Sequence, residues 1–329
     1  MRNTYENSFE INLTSHFILP SVSSDTISIP RLLNLDETTL RTLINSAIVD
    51  VFSNYIITST DEEATISADW KDYLADNENS ESFSIKIALN TDKYLFDDGI
   101  ENYLSYYIEV YLNELFLILN LSIPGSITLF QTTFKVNDYT TRIKIDSYFF
   151  AESLEWSNEI HWLNIVPIPI NDVATWYKSL NIGIRQISKT NLERVIFSLL
   201  HVCNDEYASP TGLIWLSHSL ESLFGSPKAS ICKTMIDRAY KILGKPEVNS
   251  KKIKNIFNDF YDLRSKYVHG EFNIHHPSYN NILDDDIDEY YDKMTPSYKI
   301  GFSIVVACLQ LMILNNWKGF KFREEFDGV

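Results

Sequence analysis

Hydrophobic positions recur at helical spacing through most of the second half of this chain, whereas the first half mixes helical and alternating patterns. In the first half, Leu40, Leu43, Ile44, Ala47 and Val51 predict a helix within 32–51, with Asp36 placed to cap it. Phe83 to Ile87 alternates as a strand does, after a polar, acidic loop over 76–82. A long helix is expected over 99–121, stopped by Ile123-Pro124-Gly125, and strands over 127–134 and 141–149. Val166-Pro167-Ile168-Pro169-Ile170 disfavours helix and ends a connector over 151–170. Beyond it the spacing predicts helices over 171–187, 191–205, 210–224, 228–243, 250–269 and 296–316. Asp172, Thr190 or Asn191, Ser209 and Ser250 stand near N-termini, and Gly225, Gly244 and Gly270 just past C-termini. The fold class expected is α+β. Residues 1–150 read as a mixed α/β N-terminal domain and 171–329 as an all-helical domain with short, antiparallel connections.

Composition adds little to that division. A hydrophobic content of 45% in 329 residues supplies core for two ordinary domains. Cys203, Cys232 and Cys308 are odd in number and far apart, which suits free thiols in a reducing compartment better than disulfides or zinc. The polar N-terminus does not begin as a secretory signal does, and the apolar run from Ile300 to Leu314 is short for a membrane span. A cytoplasmic protein without a membrane partner is therefore expected.

Charge is more telling. The net charge of −16 argues against indiscriminate nucleic-acid binding by the whole molecule. Yet residues 226–270 hold ten basic side chains against four acidic ones, a local +6 that leaves −22 for the rest. Lys251, Lys252 and Lys254 in that segment are candidate RNA contacts, although a solvated helical face explains them equally well. Arg264 and His269 lie in the same segment, five residues apart, with Gly270 closing the helix. A guanidinium grips a phosphate with paired donors, and an imidazole moves a proton near neutral pH. Glu221, a carboxylate within an apolar stripe, needs a partner, and Arg264 or His269 would serve.

Three consecutive pieces give this pair a context. They are Trp215-Leu216-Ser217-His218-Ser219-Leu220-Glu221-Ser222-Leu223-Phe224, the stretch from Lys228 to the pair Leu243-Gly244, and Phe260-Tyr261-Asp262-Leu263-Arg264-Ser265-Lys266-Tyr267-Val268-His269-Gly270. In order and spacing they resemble the Apea-like branch of the HEPN superfamily, whose signature is Tyr-x-x-Arg-Ser-x-x-x-His-Gly. The resemblance covers about residues 190–320. It implies an all-helical HEPN bundle, a homodimer through that domain, and a metal-independent endoribonuclease acting in phage defence or a toxin-like system, with a possible inhibitor or sensor partner. On that analogy Arg264 and His269 are the catalytic pair, with RNA as substrate and no cofactor or metal. Ser265, where the wider superfamily often has Asn, Asp or His, keeps a hydroxyl and is a supporting candidate with Glu221 and Lys266. The alternative is a non-catalytic HEPN module that binds RNA, nucleotide or a protein through the same surface.

Other features carry less. Asp284-Asp285-Asp286-Ile287-Asp288-Glu289 opens like a calcium loop but lacks the sixth-position glycine and twelfth-position glutamate, so it reads as a solvated acidic loop. His275-His276 reads as loop, with substrate contact the lesser alternative. His218 and Glu221 alone do not make a metal site, and no phosphate-cradling glycine loop occurs.

Overall fold

The computed structural model describes residues 5–14, 34–53, 55–58, 64–70, 83–91, 100–130, 132–136, 139–205, 207–225, 231–278 and 285–323. The protein is mostly helical, with a small antiparallel sheet, and divides into two compact units. Unit 1 is Met1–Ala151 with Pro167–Ile187; unit 2 is Glu152–Val166 with Ser188–Val329.

In chain order the elements are β1 (Tyr5–Thr14), α1 (Glu37–Ala47), β2 (Ile57–Thr58), β3 (Ala64–Asp69), β4 (Phe83–Thr91), α2 (Ile100–Ser122), β5 (Thr133–Val136), β6 (Tyr139–Arg142) and α3 (Tyr148–Ile160). There follow α4 (Ile170–Ser179), α5 (Asn191–Cys203), α6 (Pro210–Phe224), α7 (Ile231–Leu243), α8 (Ser250–His269) and α9 (Asp285–Leu314).

Unit 1 is built on a sheet of order β2-β3-β4-β1-β5-β6, every pair antiparallel. Its longest ladder joins β1 to β4 from Tyr5↔Thr91 to Leu13↔Phe83. The alternation of Phe9, Ile11 and Leu13 is the strand signal for β1, which the helical and alternating patterns chosen above passed over. Asp36 caps α1 as expected, its carboxylate accepting from the Thr39 backbone N–H at 2.8 Å. A π-helical turn, Ile48–Phe52, continues α1. α2 buries Leu115, Phe116, Ile118 and Leu121 almost completely. Each such side chain contributes about 1.5–3 kcal/mol of transfer free energy.

Several expected boundaries move. The strands expected over 127–134 and 141–149 give way to β5 and β6: 143–147 is outside the ladder, tied to 129–132 by the Ile143 N–H to the Thr132 carbonyl (2.7 Å) and the Leu129 N–H to the Ile145 carbonyl (3.1 Å), and helix α3 begins at Tyr148. Much of the connector over 151–170 is therefore helical. The helix over 171–187 stops at Ser179, since Asn181 and Gly183 adopt positive φ (52° and 58°). The acidic loop over 76–82, Lys228 and Asp284 lie outside the described residues.

Unit 2 is a helical bundle around α6, which packs against α5, α7, α8 and α9. Thr190 and Ser209 cap α5 and α6 through their hydroxyls, and Pro210 follows Ser209 at the first turn. α9 runs for 30 residues rather than starting near 296, and it carries Pro296 internally. Asp285 to Glu289 thus forms its first turns, a place where carboxylates offset the positive helix end, and not the solvated loop expected from the sequence. By length and composition this helix could cross a membrane, but 83% of its most apolar window is buried inside the structure. Gln310, within that window, is satisfied by both backbone groups of Val166, donating to its carbonyl at 2.8 Å and accepting from its N–H at 3.0 Å.

Candidate functional site

The surface that holds Arg264 and His269 starts with the termination of α8. Gly270 takes the left-handed conformation (φ 74°), the Gly270 N–H bonds back to the Tyr267 carbonyl at 3.3 Å, and the Glu271 N–H bonds to that of Lys266 at 2.8 Å. This is a Schellman closure, and only glycine enters it without steric cost. His269 is therefore the last helical residue, and it is exposed.

Arg264 sits a turn and a half earlier, half-buried against α6. Its Nη2 lies 3.5 Å from Glu221 Oε1, and its Nε donates to Ser217 Oγ at 3.4 Å. The side chains of Arg264 and Glu221 keep 29% and 20% of their accessible surface, so the pair is partly screened. Ser217 is one turn before Glu221 and donates in turn to the Ile214 carbonyl at 2.9 Å. α6 thus carries two acceptors on the face it turns to α8, and the guanidinium is tethered while a third of it meets solvent.

Tyr261, three residues before Arg264, completes this side of the helix. Its hydroxyl is buried and has no hydrogen-bond partner among the described residues. Burial raises the phenol well above its ordinary value; Glu221 and Cys232 add to the effect, and Arg264 opposes it. Neither Ser217 nor Tyr261 was assigned a role from sequence. Both lay within the quoted segments, and their spacing of one helical turn from Glu221 and Arg264 was the available signal.

The remaining candidates are placed as follows. Five residues on a helix turn through about 500°, so Arg264 and His269 point to faces about 140° apart. α8 stays regular through His269, so the helix end does not bring the imidazole round to the guanidinium. Ser265 is half-buried on the intervening side. Lys266 pairs with Asp262 at 2.6 Å in an exposed i,i+4 contact. Lys251, Lys252 and Lys254 are exposed at the opposite end of α8, about 15–27 Å along the axis from Arg264 and His269. Those lysines and the Arg/His surface would meet only a ligand several nucleotides long.

Two further residues have structural employment. Arg238 of α7 donates to the Phe224 and Gly225 carbonyls, closing the end of α6, and lies 4.7 Å over the Phe322 ring. His218 contacts Ser198 at 3.0 Å, beside His201 stacked on Trp215 at 4.3 Å. Among the described residues no three His, Cys, Asp or Glu side chains converge as metal ligands. Compared with models of known families, with curated proteins and with solved structures, the chain matches none.

Proposed function

We propose that unit 2 is a HEPN-type endoribonuclease domain that cleaves single-stranded RNA without metal as a homodimer in the cytoplasm. The observation that carries the reading is the arrangement on α8: a guanidinium tethered by Glu221 and Ser217 but still partly exposed, and an imidazole held in solvent at the capped helix end. Arg264 would neutralise charge growing on the phosphate in the transition state. One His269 would accept the proton of the ribose 2′-OH as that oxygen attacks phosphorus. The phosphorus–5′-oxygen bond then breaks, and the departing oxygen takes a proton from a second imidazole, leaving a 2′,3′-cyclic phosphate and a 5′-hydroxyl. One chain supplies a single His269, so a second copy is what brings the other proton carrier to one phosphate.

The test is incubation of the protein with mixed cellular RNA in EDTA beside Arg264→Ala and His269→Ala. Wild type should leave cyclic-phosphate ends, and each variant should lose at least about a hundredfold in rate. Equal cleavage by all three sinks the proposal. A second reading, a binding module without catalysis, is favoured by the engagement of Arg264 with Glu221 inside one chain. It predicts RNA binding that Arg264→Ala weakens, with no cleavage by any form.

A further inference from the structure

Immediately beyond the capped end of α8 lies a cleft of about 930 Å³ within unit 2. One wall is the loop from Glu271 to Ser278, another the last turns of α8, and the third the first turns of α9. We infer that this cleft is a subsite for one unstacked RNA base carrying an exocyclic amino group, next to the phosphate held by Arg264 and His269. The inference rests on the nuclease reading above for its substrate class, and on the cleft itself for the rest.

Position is the first argument. Glu271 follows His269 by two residues, so their Cα atoms are at most about 7.6 Å apart, and a base reaching into the cleft leaves its phosphate near the imidazole. Size is the second: about 930 Å³ falls within the range of cavities that hold small ligands, with room for a base.

The lining decides the chemistry. Phe272, His275 and Tyr290 form an aromatic wall, with Phe272–Tyr290 centroids 5.6 Å apart and His275–Tyr290 5.2 Å. These pairs meet at 69° and 82°, edge to face, and Phe272 is the ring against which a flat base would lie. Charge argues against a phosphate here. Lys266 and Lys293 are tied to Asp262 and Glu289 on their own helices, at 2.6 and 2.7 Å, and Glu271 and Asp286 add two further carboxylates to the lining. Such a wall repels anions but accepts hydrogen bonds from amino and ring N–H groups, which guanine, adenine and cytosine offer and uracil lacks in its amino part.

The experiment uses the full chain and short 2′-O-methyl oligonucleotides, which cannot be cleaved, with one 2-aminopurine moved along the strand. Wild type should quench the probe at one position. An abasic residue there, or Phe272→Leu in the protein, should weaken binding by roughly tenfold or more, and the two losses should not add. Glu271→Gln, at an exposed side chain, should reduce the preference for amino-bearing bases over uracil. Absence of quenching, or equal affinity of Phe272→Leu and wild type for intact and abasic strands, overturns the subsite. So does displacement of the oligonucleotide by GMP or AMP as readily as by unlabelled strand, which would mark a free-nucleotide site. All-ribose strands separate the two ideas. Positional quenching without cleavage removes the nuclease and keeps the subsite, whereas cleavage with an unchanged KM in Phe272→Leu removes the subsite and keeps the nuclease.

Discussion

Side-chain partnerships give unit 2 its candidate chemistry, and one buried carboxyl gives unit 1 an expected pH dependence. The tether from Glu221 to Arg264 is long for a hydrogen bond and partly open to water, so its coupling should be modest. A double-mutant cycle between Glu221→Ala and Arg264→Ala, read from urea midpoints, should give about 1 kcal/mol. A coupling indistinguishable from zero would mean that the contact does not hold the guanidinium. In unit 1, Glu114 of α2 is buried, and desolvation pushes its carboxyl up to about 8 despite a hydrogen bond to Tyr55 and the nearby Lys178. The folded chain therefore keeps this proton up to about pH 8, while the unfolded chain releases it near the ordinary glutamate value of 4.5. Between those values the unfolded state binds fewer protons, so stability falls as pH rises, by at most about 1.4 kcal/mol per pH unit from this group. Glu114→Gln should flatten that slope in denaturant titrations between pH 5 and 8; an unchanged slope would place the titration elsewhere. A glutamate amid Tyr111, Leu112 and Leu115 was visible in the sequence, but its meeting with Tyr55 and Lys178, distant along the chain, was not.

At the scale of elements, α8 is where local signals and packing agree most closely. Its apolar spacing, the Gly270 stop and the basic flank all marked it, and it spans the expected 250–269. Gly270→Ala forces an alanine to a φ of 74° and should cost about 1–2 kcal/mol of stability, measured by thermal unfolding. A larger loss of cleavage than of stability would show that the helix end itself positions His269. Packing between α8 and α9 is equally strict: a Cβ on Gly301 would stand 2.8 Å from the Phe260 ring, which is fully buried. Gly301→Ala should therefore destabilise the protein by about 1–3 kcal/mol, and an unchanged Tm would contradict this crossing. Elsewhere local signals misled. α4 has apolar spacing beyond its end, yet left-handed backbone at Asn181 terminates the pattern. β1 runs ten residues and β3 six, and both are held in ladders with β4, which lies far from β1 in sequence.

For the whole molecule, the proposed chemistry requires two copies, since it uses two imidazoles and each chain brings one His269 to the end of α8. Sedimentation should give twice the 38.1 kDa chain mass, and specific cleavage should fall on dilution in step with dissociation. A monomer with undiminished activity would refute that requirement. The uneven charge, +6 over 226–270 against −22 elsewhere, further predicts that RNA binding weakens steeply with salt. Periodicity, caps and charge are properties of neighbouring residues, and they alone determined the helical second half, the bounds of α6 and α8, the N-caps at Asp36, Thr190 and Ser209, and the grouping of Arg264 and His269 in a basic segment. The division into units across 151/152, 166/167 and 187/188, the contact of Glu221 and Ser217 with Arg264, the buried Tyr261 hydroxyl and the aromatic cleft beyond Gly270 were decided only by the tertiary structure. Each depends on side chains from separate elements meeting in space, and such meetings are set by the joint packing of helices and strands rather than by any local spacing.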